Sequence, residues 1–186
     1  MLQVAHRLAP TFDRGDRRRG RRERRELRTQ DRLSARLAEL SLIDDLLGEA
    51  TRIVEQGWLQ HGWFTYVDAE GDRRVVVGCT PRITRRVTPD QVSSVCLVGS
   101  ILFASGGPSQ WHTQLVQRAA DVTWHAGFRG SAEPIHWCPA PFVRASHLAD
   151  LVRWNDSPGR MSSEVTSLLR RSQELTQHEV DRIRSR

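Results

Sequence analysis

The stretch L-S-A-R-L-A-E-L-S-L-I-D-D-L-L-G-E-A-T-R-I-V, residues 33–54, decides the fold of the chain. Its apolar residues recur about every 3.5 positions, as on one face of a helix, and this face comprises Leu33, Leu37, Leu40, Ile43, Leu47, Ala50 and Val54. Leu42 and Leu46 widen the face beyond the narrow seam of a two-stranded coiled coil. The stretch therefore predicts a helix of about six turns that packs on a globular core.

The charge of the chain is concentrated in an Arg-rich arm, residues 1–36. This arm holds 12 of the 28 basic and 5 of the 22 acidic residues, a net charge of +7, whereas residues 37–186 carry −1. Such charge density prevents a core and predicts a segment that is disordered, or helical only when bound. An arm of this kind attracts polyanions, and its candidate nucleic-acid-binding residues are Arg14, Arg17, Arg18, Arg19, Arg21, Arg22, Arg24, Arg25 and Arg28.

Leu33, Leu40 and Leu47 are seven residues apart and come directly after a basic region, a pattern that imitates a leucine-zipper DNA-binding protein. The wide apolar face, Gly48 and the small number of heptads argue against a zipper. Dimerisation of the 33–54 helix, or its docking on another protein, stays open as an alternative to nucleic-acid binding.

Residues 37–186 predict one domain that is mainly α, with about six helices and one small β-hairpin. Two β-rich runs, 63–67 and 73–79, flank an acidic loop with a glycine and predict the hairpin. A capping-box pattern at Thr88–Gln91 predicts a helix over 88–104. Apolar spacing and turn residues predict further helices at 109–124, 143–154 and 162–175, and a second capping box at Thr176–Glu179 predicts a short last helix.

The cysteine content and hydropathy indicate a cytoplasmic protein. The three cysteines, Cys79, Cys96 and Cys138, include no C-x-x-C pair and suggest reduced thiols. No apolar run approaches the roughly 20 residues that a membrane-spanning helix requires, and the N-terminus lacks the apolar region of a secretory signal. We therefore expect no membrane partner.

Two phrases of the sequence carry a family resemblance. They are V-C-L-V-G-S-I at 95–101, with Cys96 and Gly99, and W-N-D-S-P-G-R at 154–160, with Trp154, Asn155, Asp156, Pro158, Gly159 and Arg160. Together they resemble a small, mostly helical domain family of unknown function from actinobacteria and their phages, over roughly residues 38–176. Ser100 stands where the family usually has Ala, and Met161 where a capping Thr or Ser is common, so Ser162 or Ser163 would have to cap the last main helix. The resemblance implies a fold and a phage-related setting but no activity.

Cys96 is the sharpest candidate for a catalytic nucleophile, with His112, His125 or His136 as the base. Thiols are activated at helix N-termini or beside cations. The predicted helix over 88–104 places Cys96 near its middle, on the apolar face, where a thiol acts as a small hydrophobe. We therefore expect no catalytic residue and no enzymatic activity.

His136 and Cys138, with Cys79 or His125, have the ligand types of a zinc site. Their spacing matches no standard zinc pattern, and the Pro-rich segment around them is typical of a packed loop. The sequence therefore predicts no metal and no cofactor.

The W-N-D-S-P-G-R phrase has a functional and a structural interpretation. An exposed Asn155–Asp156 pair beside Arg160 would suit an anion or a carbonyl group. Alternatively, each residue serves a helix–turn–helix joint, in which Trp154 fills the core and Pro158-Gly159 turns the chain. The structural interpretation is favoured.

The arm supports three interpretations. It binds nucleic acid or another polyanion, it folds on a protein partner, or it lies upstream of the native start of the protein. The leading hypothesis is a non-enzymatic, phage-related or mobile-element accessory protein that attaches through the arm to nucleic acid or a nucleoprotein assembly. A protein-interaction module and a small enzyme that uses Cys96 are the alternatives.

Overall fold

The computed structural model describes residues 14–77, 87–130, 133–135, 137–138 and 140–185. These ranges contain five α-helices and a three-stranded antiparallel sheet. The helices are α1 (Arg14–Gln56), α2 (Leu97–Ala104), α3 (Gln114–Phe128), α4 (Pro141–Asn155) and α5 (Ser162–Arg184). The strands are β1 (Phe64–Val67), β2 (Arg73–Val76) and β3 (Val92–Val95), and short 3-10 turns occupy Pro89–Gln91 and Pro108–His112. The prediction of a mainly helical fold with a small β-hairpin is confirmed in its main features, and the hairpin is part of a three-stranded sheet.

None of the described helices combines the length and the apolar character that crossing a membrane requires.

The chain separates into two units, one ending at Arg36 and one beginning at Leu37. The described residues of the first unit, 14–36, are helical rather than disordered, and the side chains of residues 21–35 are exposed. Arg, Glu, Gln and Leu all have high helix propensity. Arg22 also pairs with Glu26 one turn later, at 2.8 Å. These local preferences explain a helix without a core, while residues 1–13 lie outside the described ranges.

In the second unit, the remainder of α1 lies on the core as its apolar period predicts. Leu40, Ile43, Leu47, Ala50 and Val54 are at most 1% exposed. Leu40 and Leu47 are therefore buried in the core of their own chain and cannot form a zipper between two chains. Leu42, by contrast, is 56% exposed on the opposite face.

The sheet has the order β2-β1-β3, and both of its pairs are antiparallel. The hairpin of β1 and β2 is the one that the sequence predicts. The third strand was predicted as the start of a helix over 88–104, and that prediction is wrong. Thr88 and Gln91 do bond, at 2.9 Å from the Thr88 N–H to Oε1 of Gln91, but they close only a 3-10 turn. Val92–Val95 then pairs with the open edge of β1, because the ladder satisfies its backbone and buries Val95 completely.

The start of α3 also differs from the sequence prediction. The segment expected to be helical from 109 begins as the 3-10 turn at Pro108–His112, and α3 follows it. Thr113 caps the helix, since its Oγ1 accepts from the N–H of Val116 at 3.5 Å.

The last two predicted helices form one continuous helix, α5, so the described ranges contain five helices rather than the six predicted. Thr176, the expected cap of the short last helix, is fully buried, and its Oγ1 donates to the carbonyl of Ser172 at 2.9 Å. A capping box requires a break in the helix, and the residues between Ser172 and Thr176 all favour helix. The side chain therefore packs inside α5.

All six tryptophans pack against the core, and they are Trp58, Trp63, Trp111, Trp124, Trp137 and Trp154. Two of the indole N–H groups are hydrogen-bonded at 2.9 Å, that of Trp58 to Asn155 and that of Trp124 to Asp150. The tryptophans thus serve as partly buried anchors, two of them with a hydrogen-bonded polar end.

Backbone packs closely between α2 and the segment before β1. A Cβ atom at Gly99 would lie 2.3 Å from the carbonyl oxygen of Trp63. We expect Gly99→Ala to lower the free energy of unfolding by about 1–3 kcal/mol or more, because backbone must move. Gly127→Ala is the matched control. It is also helical, its Cβ would meet Leu168 at 3.4 Å, and alanine in a helix gains up to about 1 kcal/mol. Urea unfolding measures both, and equal stabilities of the two variants would contradict the close approach.

Candidate functional site

The two sequence phrases of the family resemblance meet at one side chain, that of Asn155. This residue ends α4 and is 1% exposed. Its Oδ1 accepts from the N–H of Leu97 at 3.0 Å, at the first turn of α2, and from the indole of Trp58 at 2.9 Å. Its Nδ2 donates to the carbonyl of Leu59 at 3.2 Å and to Oδ1 of Asp156 at 2.8 Å. One amide thereby joins α4, the start of α2 and the loop between α1 and β1.

Asp156 extends this joint toward the surface. Its Oδ1 also accepts from the backbone N–H of His61 at 2.9 Å. His61 has a φ of +58°, in the left-handed region that non-glycine residues rarely adopt. The imidazole is exposed, and its Nδ1 lies 3.9 Å from Oδ2 of Asp156. The carboxylate therefore holds a strained backbone turn and places a histidine beside the joint.

The rest of the W-N-D-S-P-G-R phrase builds the turn into α5. The guanidinium of Arg160 lies 3.9 Å from the centre of the Trp154 ring, and its Nε donates to the Trp154 carbonyl at 3.1 Å. Pro158 and Gly159 form the turn, where Gly159 has a φ of +77°. Such a φ is easily adopted only by glycine.

Neither Ser162 nor Ser163 caps α5, contrary to the expectation from the sequence. Met161 occupies the N-cap position, and its N–H donates to Oε2 of Glu164 at 2.9 Å. Glu164 is itself held by Arg160, at 2.6 Å. The helix is therefore stabilised by the glutamate half of a capping box.

Cys96 lies at the N-cap of α2, not in the middle of a helix, so its predicted position is wrong. The cause is the third strand, which occupies residues that were assigned to the helix. Its Sγ accepts from the N–H of Gly99 at 3.3 Å. A helix N-terminus favours a thiolate, but the residue is only 4% exposed. Burial raises the pKa of the Cys96 thiol to about 11, so burial outweighs the helix end and the thiol is protonated at neutral pH.

A cleft of about 320 Å³ opens beside this joint. Cys96, His61, Asn155 and Asp156 are among the residues that line it. The histidines that the sequence offered as a base for Cys96 lie elsewhere or outside the described residues. His112 lines a different cavity, His125 is buried on α3, and His136 is not described. Sequence reasoning missed His61, whose only signal is its place between Gln60 and Gly62 in a loop.

The described residues also contain one cluster of metal-ligating side chains. Asp121, Cys138 and His147 each offer a ligand atom, and these atoms lie within 4.8 Å of one another. Burial is the largest influence on the imidazole and lowers the pKa of His147. Of the zinc ligands considered from the sequence, only Cys138 belongs to this cluster. Cys79 and His136 lie outside the described residues.

The candidate nucleic-acid-binding residues lie on the first part of α1. Arg21, Arg22, Arg24, Arg25 and Arg28 are exposed. For Arg14, Arg17, Arg18 and Arg19 the structure gives a helical backbone but no described side chain. The structure thus places all nine candidates on one helix.

The fold is a mainly helical domain in which the segments 95–101 and 154–160 meet through hydrogen bonds of the buried Asn155. The chain belongs to a family of unknown function, DUF6197, whose model matches residues 38–175. The predicted membership in a helical family of unknown function is confirmed, and the extent agrees with the resemblance. No curated protein and no solved structure matches the chain.

We predict that Asn155→Ala lowers the free energy of unfolding by about 2–4 kcal/mol, because it leaves buried donors at Leu97 and Trp58 without an acceptor. Ser157→Ala, two residues later, is the control. Its exposed hydroxyl donates only to the carbonyl of Arg153, and we expect a change within about 0.5 kcal/mol. Urea denaturation followed by tryptophan fluorescence measures both. A cost below about 1 kcal/mol for Asn155→Ala would show that the joint is not needed for stability.

We expect Cys96 to react slowly with thiol reagents in the folded protein. The rise of its pKa from 9.0 to about 11 lowers the thiolate fraction at pH 8 about 100-fold. Iodoacetamide labelling followed by peptide mass spectrometry gives the rate, with the urea-unfolded chain as reference. Equal rates in the two states would mean that the thiol is open to solvent and would support the enzymatic alternative.

The same shift has a consequence for stability against pH. The pKa of Cys96 in the folded protein lies above its pKa in the unfolded chain. The contribution of the buried thiol to the free energy of unfolding is therefore complete below about pH 9 and is lost as the pH rises toward 11. We expect wild type to lose more stability than Cys96→Ser over this interval, because serine keeps the cap without a titrating thiol. Equal losses would contradict the raised pKa.

Proposed function

We propose that the protein is a non-enzymatic binding protein that attaches to nucleic acid through its Arg-rich helix. The observation that supports this is the exposure of every side chain from residue 21 to residue 35. Residues 21–35 contain six arginines and three acids. Because this charge is not used to hold a core, it is available to a polyanion.

The arginines of this helix are arranged in a row. Arg21, Arg25, Arg28 and Arg32 follow at intervals of four, three and four residues, which places them on one helix face. At 100° per residue the acids Glu23, Glu26 and Asp31 lie about 90° or more around the helix from the centre of this row. The face that carries the row is therefore free of acids.

The dimensions of the row suit a duplex. Arg21 to Arg32 extends over about 16 Å of helix, and the major groove of B-DNA admits one α-helix. Arginine forms bidentate contacts with phosphate oxygens, and such contacts attach a protein without reading base sequence. We thus expect binding to be largely independent of sequence.

The second unit contributes little to this attraction, since residues 37–186 carry a net charge of −1. A leucine-zipper mode of attachment is disfavoured because Leu40 and Leu47 are buried in the core. The proposal therefore assigns attachment to the helix face alone. An accessory role in a phage or mobile element is part of the same proposal.

The test compares duplex binding by the full chain and by Arg25→Gln/Arg28→Gln, at several salt concentrations. If the row neutralises about four phosphates, log affinity falls with log salt at a slope near −4, and the double variant reduces the slope by about 2. Glutamine has nearly the helix propensity of arginine, so the helix itself is kept. Fluorescence anisotropy with a labelled duplex measures the slopes.

Arg170→Gln/Arg171→Gln is the matched control. Both residues are exposed on α5, and Arg170 pairs with Glu55 at 2.7 Å. This variant also removes two positive charges, but outside the row, and we expect its salt slope to equal that of wild type. Equal effects of the two double variants would show that net charge alone acts. If wild type does not bind the duplex, the nucleic-acid proposal is wrong, and a protein partner of the helix becomes the alternative to test.

A further inference from the structure

A buried group of three different ligand types lies where α3 meets the segment before α4. Asp121 on α3 is 2% exposed, and Cys138 is 6% exposed. His147 lies in the second turn of α4. One carboxylate oxygen, the thiol sulfur and one imidazole nitrogen lie within 4.8 Å of one another. These side chains come from three separate parts of the chain, so their meeting is a product of the fold.

We propose that Asp121, Cys138 and His147 bind a zinc ion. Thiolate, imidazole and carboxylate are the ligands that zinc takes in proteins, at about 2.0–2.3 Å. The three ligand atoms would have to approach one another by about 1 Å to reach these distances. Calcium and magnesium are excluded as preferred ions because they require oxygen ligands in larger number.

Arg144 holds two of the three ligands in place. Its NH2 group donates to Oδ2 of Asp121 at 3.1 Å and to the carbonyl of Cys138 at 2.8 Å, and its Nε donates to Oδ1 at 3.3 Å. Its NH1 donates to Gln117 at 2.6 Å. A carboxylate offers about four lone-pair positions, so Asp121 retains acceptor capacity beside the guanidinium. Such outer partners orient metal ligands.

The positive charge of Arg144 selects among cations. It weakens the purely electrostatic attraction of hard ions to Asp121. A bond between zinc and a thiolate has strong covalent character and depends less on net charge. This combination favours a thiophilic ion.

His147 is held in an orientation that suits a ligand. Its ring stacks on Trp124, with 3.6 Å between centroids and 11° between planes. Its Nδ1 is enclosed and has no hydrogen-bond partner in the described part of the chain. A buried polar atom without a partner is costly. A zinc ion bound at Nδ1 would remove this cost, because it would supply the missing partner.

Binding requires one deprotonation. The Cys138 thiol donates to the carbonyl of Ala140 at 3.4 Å. On binding, the S–H bond breaks, the sulfur forms a bond with zinc, and the proton passes to solvent. No electron is transferred. With three protein ligands, zinc holds a water molecule in the remaining position.

The test uses the full chain, freed of metal by a chelator, and titrates it with cobalt(II) and with zinc(II). Cobalt bound to a thiolate gives a charge-transfer absorption in the near ultraviolet, and zinc displaces it. We expect saturation at one ion per chain, with loss of the band in Cys138→Ser. Cys96→Ser, which removes a buried thiol elsewhere, is the matched control and keeps the band.

His147→Gln changes a partly exposed residue, so the fold should persist even if Cys138→Ser does not fold. We expect it to weaken zinc affinity by more than about 100-fold, beyond the effect of losing an outer partner. Circular dichroism establishes that each variant is folded. The proposal is overturned if wild type shows no thiolate band at micromolar cobalt, or if His147→Gln binds zinc as wild type does.

Discussion

The side chain of Asn155 is the constraint on which the body of this protein depends. Its amide accepts from α2 and from Trp58 and donates to Leu59 and Asp156. A buried amide with these four bonds cannot be replaced by an apolar group without leaving donors stranded. The joint therefore fixes where α2 begins, and with it the position of Cys96 and the close approach of Gly99 to Trp63.

The chemistry of Cys96 follows from a competition between two effects. The start of α2 favours a thiolate, whereas burial disfavours any charge. Burial prevails and raises the pKa to about 11. The cleft beside it gathers a histidine, an aspartate and an asparagine, but the Asn155 amide is committed to the fold. The two phrases that carry the family resemblance are thus tied to one structural joint, and reactive chemistry there requires that the thiol first become exposed.

The charged groups of the two units are used differently. The described arginines from Arg21 to Arg32 are exposed, and four of them lie on one helix face. In the body, Arg144 is paired with Asp121 and Arg160 is stacked on Trp154 and paired with Glu164. We therefore propose that a polyanion binds the exposed helix, whose charges are not used to hold a core. The body holds the compact cluster of Asp121, Cys138 and His147, which we propose as a zinc site.

The sequence by itself determined the elements whose signals are local. The period of 33–54 predicts the part of α1 that follows residue 32. The β-rich runs around the acidic loop predict the hairpin, and the phrase 154–160 predicts the turn into α5, because period and turn chemistry act within a few residues. Only the tertiary structure decided the rest. Val92–Val95 became a strand because the edge of β1 was open to it. His61 beside Asp156, and Asp121 beside Cys138, are brought together by packing between distant segments, which no local pattern records.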